Sequence, residues 1–244
     1  MINRITQPQC YNAFYSSKSK SHNNEQESGT PAKVKTGVLL GAAAGALGAA
    51  FLLSKYQSRA LKKHINLLTV KYDEIAVEAV ATSAIAGGLL AGLALDDKKY
   101  RQAKIKEGIH QAIANVTFPI LLIGAANRLY EKIKPAIKLP QLKPSKGLKK
   151  FVNNAIKVAP HLAITIAGLV GGVCLGTKVS NKINAADDQK FKPRKVKPID
   201  FIYHPDDIAT AFVLSDKDGM IQKVAGKIIP LIFTLCGYET GIKR

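Results

Sequence analysis

Gly37 to Leu53 reads GVLLGAAAGALGAAFLL, seventeen residues without a charge and with Gly37, Gly41, Gly45 and Ala49 at every fourth place. That spacing puts all four on one side of a helix, where a neighbouring backbone can approach closely and gain dispersion contacts. In water each such glycine costs roughly 1 kcal/mol of helix propensity relative to alanine. The pattern therefore suits a helix held by packing in lipid. Its rise is about 25 Å, slightly short of the roughly 30 Å hydrocarbon core of a bilayer.

The rest of the chain follows the same rule. Its 244 residues carry 36 Lys and Arg against 17 acids, for a net charge of +19, yet 47% are hydrophobic. A soluble basic helical protein interleaves its charges with apolar residues along helix faces. Here the charges collect in blocks and leave long stretches nearly free of them. That segregation predicts an all-α integral membrane protein with four to five short transmembrane helices. A soluble, Ala- and Gly-rich helical protein with buried central helices is the alternative. Cys10, Cys174 and Cys236 are too few and too scattered for a disulfide framework or a zinc site. The first 36 residues lack the apolar core of a signal peptide.

An internal echo organises the apolar segments. Ala84, Gly88 and Gly92, around GGLLAG, reappear 84 places on as Gly168, Gly172 and Gly176, around GGVCLG. EGIHQAIANVTFPILL, Glu107 to Leu122, is echoed 111 places on by DGMIQKVAGKIIPLIF, Asp218 to Phe233. The echo implies a duplicated hairpin, each copy pairing a small-residue helix with a proline-kinked one, and a 27-residue insertion in the second copy. Pro119 and Pro230 mark the expected kinks, since each removes a backbone donor and crowds the carbonyl one turn back. Two spans per unit preserve orientation, so the copies are expected to be parallel.

The resulting division has five parts. Residues 1–36 form a disordered polar tail. Residues 37–74 hold the first glycine-ladder helix and a basic connector, which either lies along a headgroup surface or extends the helix. Residues 75–127 are the first hairpin repeat, with Glu78 at its boundary and Asn115 needing a partner from a facing helix. A basic, proline-containing loop follows at 128–157, and residues 158–244 hold the second repeat, in which Pro160 supports a helix start. The final apolar segment, 220–238, carries Lys223 and Lys227 and is the weakest candidate span.

No catalytic constellation emerges. There is no GxSxG, Walker loop, HExxH or CxxC, and the glycines are spaced for helix packing rather than for phosphate. The expectation is a non-enzyme without metal or cofactor. Arg128, Lys132, Lys134, Lys138, Lys143, Lys146, Lys149 and Lys150, with Lys157, face one acid, Glu131. Beside a span, such a cluster points to anionic lipid. No aromatic platform or recognition helix accompanies it, which argues against nucleic acid. Two functions fit: a structural or lipid-interacting scaffold with small-residue helix packing, able to form a homo-oligomer, and a small transporter or channel built from two parallel hairpin repeats. Cations divide almost evenly between the two sides of a five-span arrangement. The lack of an export signal alone tilts the expectation to an N-terminus inside. A peptide of residues 128–157 should bind anionic vesicles at low salt and leave as salt rises, at about 1 kcal/mol per engaged cation. Equal binding to neutral vesicles would refute the lipid assignment.

Overall fold

The computed structural model describes residues 29–137, 148–187, 191–197, 209–211, 213–214 and 220–244, and these are mostly helical with no strand among them. The helices are α1 (Ala32–Ala60), α2 (Glu74–Leu95), α3 (Arg101–His110), α4 (Phe118–Ile133), α5 (Leu148–Asp187) and α6 (Met220–Ile242). A π-helical segment, Gln111–Thr117, joins α3 to α4 without a break. Four continuous helical stretches are long and apolar enough to cross a membrane: Ala32–Ala60, Glu74–Leu95, Lys98–Ala136 and Ala159–Ala186.

Several boundaries move from their expected places. α1 begins inside the expected tail and runs to Ala60, so the connector is partly a helical extension. Just beyond its end, Lys62, with a φ of 49°, turns the chain. The turn is then tied back to α1, because the Gln57 amide pairs with both backbone groups of Lys71, at 2.7 and 3.0 Å. Asp73 starts α2 by accepting the Ala76 N–H at 2.8 Å. The basic loop is shorter than 128–157, since α4 reaches Ile133 and α5 starts at Leu148. Pro160 consequently lies inside α5 rather than in its first turn.

Small residues set the distances between helices. A Cβ placed on Gly41 would come within 2.7 Å of the Gly87 carbonyl oxygen, and one on Gly45 would collide with the Ser83 carbonyl. Gly37 faces the Leu95 side chain. These contacts run α1 antiparallel to α2. On the other side of α2, Gly88 meets the backbone of Gly237 and Gly92 that of Gly241, while Gly237 in turn meets the Ala84 carbonyl. The adjacent pair Gly87–Gly88 thus sends one glycine to α1 and the other to α6. In α5, Gly168 lies against the Leu122 carbonyl, Gly172 against Pro119 and the Phe118 carbonyl, and Gly176 against Ala114 and the Ile113 carbonyl.

The order of these contacts gives the directions. Along α2 and α6 the partners rise together, so those helices are parallel. Along α5 and the α3–α4 unit one rises as the other falls, so they are antiparallel. The first expected pair, α2 with the α3–α4 unit, does run antiparallel, with Gly108 near Leu89 and Gly124 near Glu74, whereas α5 and α6 run parallel to each other. The α2 ladder packs mainly on α6, from the second copy, and the α5 ladder on the π segment and α4, from the first. The physical reason is backbone fit: glycine carbons in α2 find glycine carbons in α6, whereas α5 fits the proline-bearing turn. The Thr30 hydroxyl donates to the Ile242 carbonyl at 3.3 Å, so the start of α1 and the finish of α6 share one end of the bundle.

Gly88→Leu and Gly172→Leu each drive a side chain into a facing backbone and should lower thermal stability in detergent by more than the about 1–3 kcal/mol of ordinary overpacking. Leu90→Ile and Val170→Leu, at positions 67% and 38% exposed, should melt like the parent. Equal melting of all four would show that these contacts do not hold the bundle.

Candidate functional site: a buried polar seam

Charged and amide side chains that the sequence scatters over 150 residues converge where α2 ends, α3 begins and α6 finishes. At its centre is Lys104, with no exposed surface. Its ammonium lies 2.9 Å from an Asp96 carboxylate oxygen and donates to the carbonyls of Gly241 (2.5 Å) and Lys243 (3.0 Å). All three of its protons are used, and a cation sits on the carbonyls that end α6, where the helix dipole favours it. Asp96 also receives Arg244 in a two-point grip, at 2.7 and 3.2 Å, and that guanidinium lies over the Tyr100 ring, 4.4 Å from its centre. Burial pushes the Asp96 carboxyl upward, but hydrogen bonds from Arg244 and Lys104 outweigh it and hold the pKa at about 2.

One turn further in, Glu107 is 4% exposed and takes both guanidinium arms of Arg194, with Lys243 at 3.4 Å. From it a column of side chains descends into the bundle. Gln111 donates to Glu107 at 3.1 Å and to Glu239 at 3.4 Å, and Asn115 donates to Gln111 at 2.7 Å. Asn115 is thus met by its own helix one turn back, not by a facing helix as expected. Beside the column the His110 ring contacts the Ser180 hydroxyl at 2.8 Å.

The column's lower two amides belong to the π-helical segment. Where the sequence predicts a kink at Pro119, the helix widens over Gln111–Thr117 before the proline. An α-turn would press the Pro119 ring on the carbonyl of Asn115, and a wider turn relieves that contact. The glycine face of α5 covers the widened turn. Pro230 is accommodated inside a continuous α6, where the Thr234 hydroxyl takes the Pro230 carbonyl at 2.8 Å. Glu78 is half-buried and accepts the Thr117 hydroxyl at 3.1 Å.

A second, smaller cluster stands at the opposite end. The Asn127 oxygen is shared by His161 and Thr165, each at 3.1 Å, its amide donates to the Leu214 carbonyl, and His161 stacks on Tyr130 with centroids 4.3 Å apart.

Of the residues singled out from the sequence, Gly37, Gly41, Gly45, Ala84, Gly88 and Gly92 come together around α2, and Gly168, Gly172 and Gly176 around Pro119. Arg128, Lys132 and Lys134 are on α4 and its end, Lys132 and Lys134 exposed. Lys138, Lys143 and Lys146 lie outside the described residues, as do the side chains of Lys149 and Lys150. Sequence reasoning missed Asp96, Lys104, Glu107, Arg194 and Arg244. A signal existed for one part, since Glu107, Gln111 and Asn115 recur every four residues in a link that is otherwise basic. Among the described residues no group of three His, Cys, Asp or Glu is arranged to hold a metal. No protein-family model matches the chain, and no curated protein or solved structure matches it significantly.

Asp96→Asn leaves the Lys104 charge buried without its partner and should cost about 3–5 kcal/mol at neutral pH. The Asp96 pKa is depressed by folding, so its stabilisation is complete above its ordinary 3.8 and is lost as pH falls through about 2. Melting of parent and variant in detergent should differ fully at pH 5 and converge toward pH 2. A gap that does not change with pH would place the effect elsewhere.

Proposed function

We propose that the protein is a multi-pass integral membrane protein acting as a structural, lipid-interacting scaffold, with small residues joining its helices and basic ends holding anionic headgroups. One observation carries the reading. The long helices turn large apolar side chains outward, with Leu40, Leu52 and Leu90 each about two-thirds exposed at 65%, 68% and 67%, while Lys104, Glu107 and the side chain of Asp96 are buried. Water favours the reverse arrangement, and an outer surface of this kind needs an apolar solvent. Glycine-to-backbone contact is also the way helices associate where lipid removes the hydrophobic drive. Exposed Lys55, Lys62, Lys63, Lys132 and Lys134 lie at the end of the bundle where α1 and α4 finish. At a bilayer surface they meet anionic headgroups. The N-terminus on the inner side and assembly into a homo-oligomer belong to the same reading.

The transporter or channel reading rests on a different observation: the Glu107–Gln111–Asn115 column inside a π-helical turn, since ionisable groups within a span usually serve a pathway. Its carboxylate is already neutralised by Arg194 and Lys243, which favours the scaffold.

Alkaline carbonate should leave the protein in the membrane pellet, and the parent purified in mild detergent should retain anionic lipid. A triple variant, Arg128→Glu, Lys132→Glu and Lys134→Glu, should retain several-fold less. An unchanged lipid complement would defeat the scaffold proposal. Ion flux in proteoliposomes that Gln111→Leu abolishes would establish the transport reading in its place.

A further inference from the structure

Between α1 and α2 the chain makes a tight turn with two leucines at its tip. The Thr69 N–H donates to the Asn66 carbonyl at 3.0 Å, which makes Leu67 and Leu68 the two central residues. The Asn66 side chain accepts the Leu68 N–H, and the Thr69 hydroxyl accepts the Asn66 N–H, each at 3.0 Å. Turn positions ordinarily carry Gly, Pro, Asn, Asp or Ser. Here they carry Leu67, 38% exposed, and Leu68, 62% exposed, and Leu61 at the start of the same connector is 59% exposed. The connector has a core within reach, because its Ile65, Val70 and Tyr72 belong to the buried cluster. It sends those residues inward and turns its leucines out.

Two further ties set the level of this tip. Ser58 takes both backbone groups of Ile65, at 2.9 and 3.1 Å, and Gln57 holds both of Lys71. The leucine turn lies between these two anchored residues and is therefore kept beside the last turns of α1. Gln57 follows the end of the charge-free run, Leu53, by one helical turn, a rise of about 6 Å. The headgroup layer on each side of a bilayer is about 5–7 Å thick. Tyr56, 70% exposed, stands at the same level, where amphipathic rings collect at membrane–water boundaries. Lys55, Arg59, Lys62, Lys63 and Lys71 are all exposed, and no acid occurs between Ser54 and Tyr72. The next acid, Asp73, is engaged as the cap of α2.

We propose that Leu67 and Leu68 form an insertion tip that enters the anionic monolayer on the side where α1 finishes, while the cations of the same stretch hold lipid phosphates. The inference rests on the membrane reading above and deepens it, since this end then grips the monolayer by apolar insertion as well as by charge. Backbone that enters an apolar boundary must keep its polar groups satisfied, and the turn meets three of its N–H groups from within. Exposed leucines flanked by lysine and arginine are the composition of segments that lie in the headgroup–acyl boundary of anionic membranes. An acidic protein would attract the same cations. At this level, however, the bilayer itself supplies both the phosphate and the hydrocarbon.

Depth-dependent quenching in the full chain tests the tip. Cys10, Cys174 and Cys236 are replaced by alanine, and single cysteines are introduced as Lys63→Cys, Leu67→Cys, Leu68→Cys and Leu90→Cys. Each carries a thiol-linked fluorophore in vesicles of phosphatidylcholine and phosphatidylglycerol, with iodide on both sides as the aqueous quencher or a nitroxide high on the lipid acyl chain as the other. The expected result is that lipid nitroxide quenches positions 67 and 68 several-fold more than position 63, that iodide shows the reverse order, and that position 90 responds to lipid alone. Quenching at 67 and 68 should also be greater in these vesicles than in phosphatidylcholine alone, and equal quenching in both would overturn the part given to the cations. Iodide reaching 67 and 68 as readily as 63, with position 90 still in lipid, would overturn the tip and leave the membrane reading intact. Protection of 67 and 68 from both quenchers would show a protein surface over them and likewise overturn it. Iodide reaching position 90 as readily as 63, or release of the protein by carbonate, would overturn the membrane reading and the tip with it.

Discussion

The contact of α2 with α6, backbone against backbone at Gly88, Gly92, Gly237 and Gly241, sets the register of the whole bundle. With no side chains between them, the two helices cannot slide by a turn without a Cβ meeting a carbonyl. That register delivers the last residues of α6 to the place where α2 stops. Asp96, which follows α2, then lies beside Arg244, and Lys104 reaches both Asp96 and the carbonyls that α6 leaves open. The ion cluster is therefore a consequence of the glycine seam. It is also a check on it, because a displaced α6 would strand a buried ammonium, and an unpaired buried charge costs several kcal/mol.

Several polar side chains inside the bundle stand where the regular helical bonding of the backbone ends. Lys104 serves the final carbonyls of α6, Asn181 serves both backbone groups of Arg194 outside any helix, and Asn127 takes the Leu214 carbonyl. Glu107, Gln111 and Asn115 extend the pattern through a turn widened by Pro119. Such bonds matter because a buried backbone group left unsatisfied costs several kcal/mol. The bundle's polar atoms thus mark its irregularities.

The helices were readable in the sequence because their signals are local. A charge-free run with small residues every fourth place identifies a helix and one of its faces without knowledge of anything distant. The partner of that face is not local information. Gly237 and Gly241 have the same four-residue spacing as Gly88 and Gly92, yet nothing in the spacing says that they meet, or that α6 runs parallel to α2. The sequence echo suggested other neighbours for these two ladders, and likeness of sequence does not fix contact, which depends on shape. Asp96 and Arg244 are 148 residues apart, and each looks like an ordinary surface charge until the bundle closes. The π-helical turn was half visible: Pro119 announced an irregularity, but whether a helix bends or widens depends on what packs over it, here the glycines of α5.

The seam between α2 and α6 has a consequence for the order of assembly. α1 and α2 are joined by a short turn and can pair as soon as both are made. The residues that cover the other side of α2 come about 145 positions later, and at about 5–20 residues per second the ribosome takes on the order of 10 s to supply them. For that interval the face bearing Gly88 and Gly92 has no partner of its own, and Lys104 has not yet met the carbonyls it will cap. The nascent chain therefore passes through a stage with an open groove the width of one helix. A chaperone, a lipid tail or the equivalent helix of another copy has those seconds in which to occupy it.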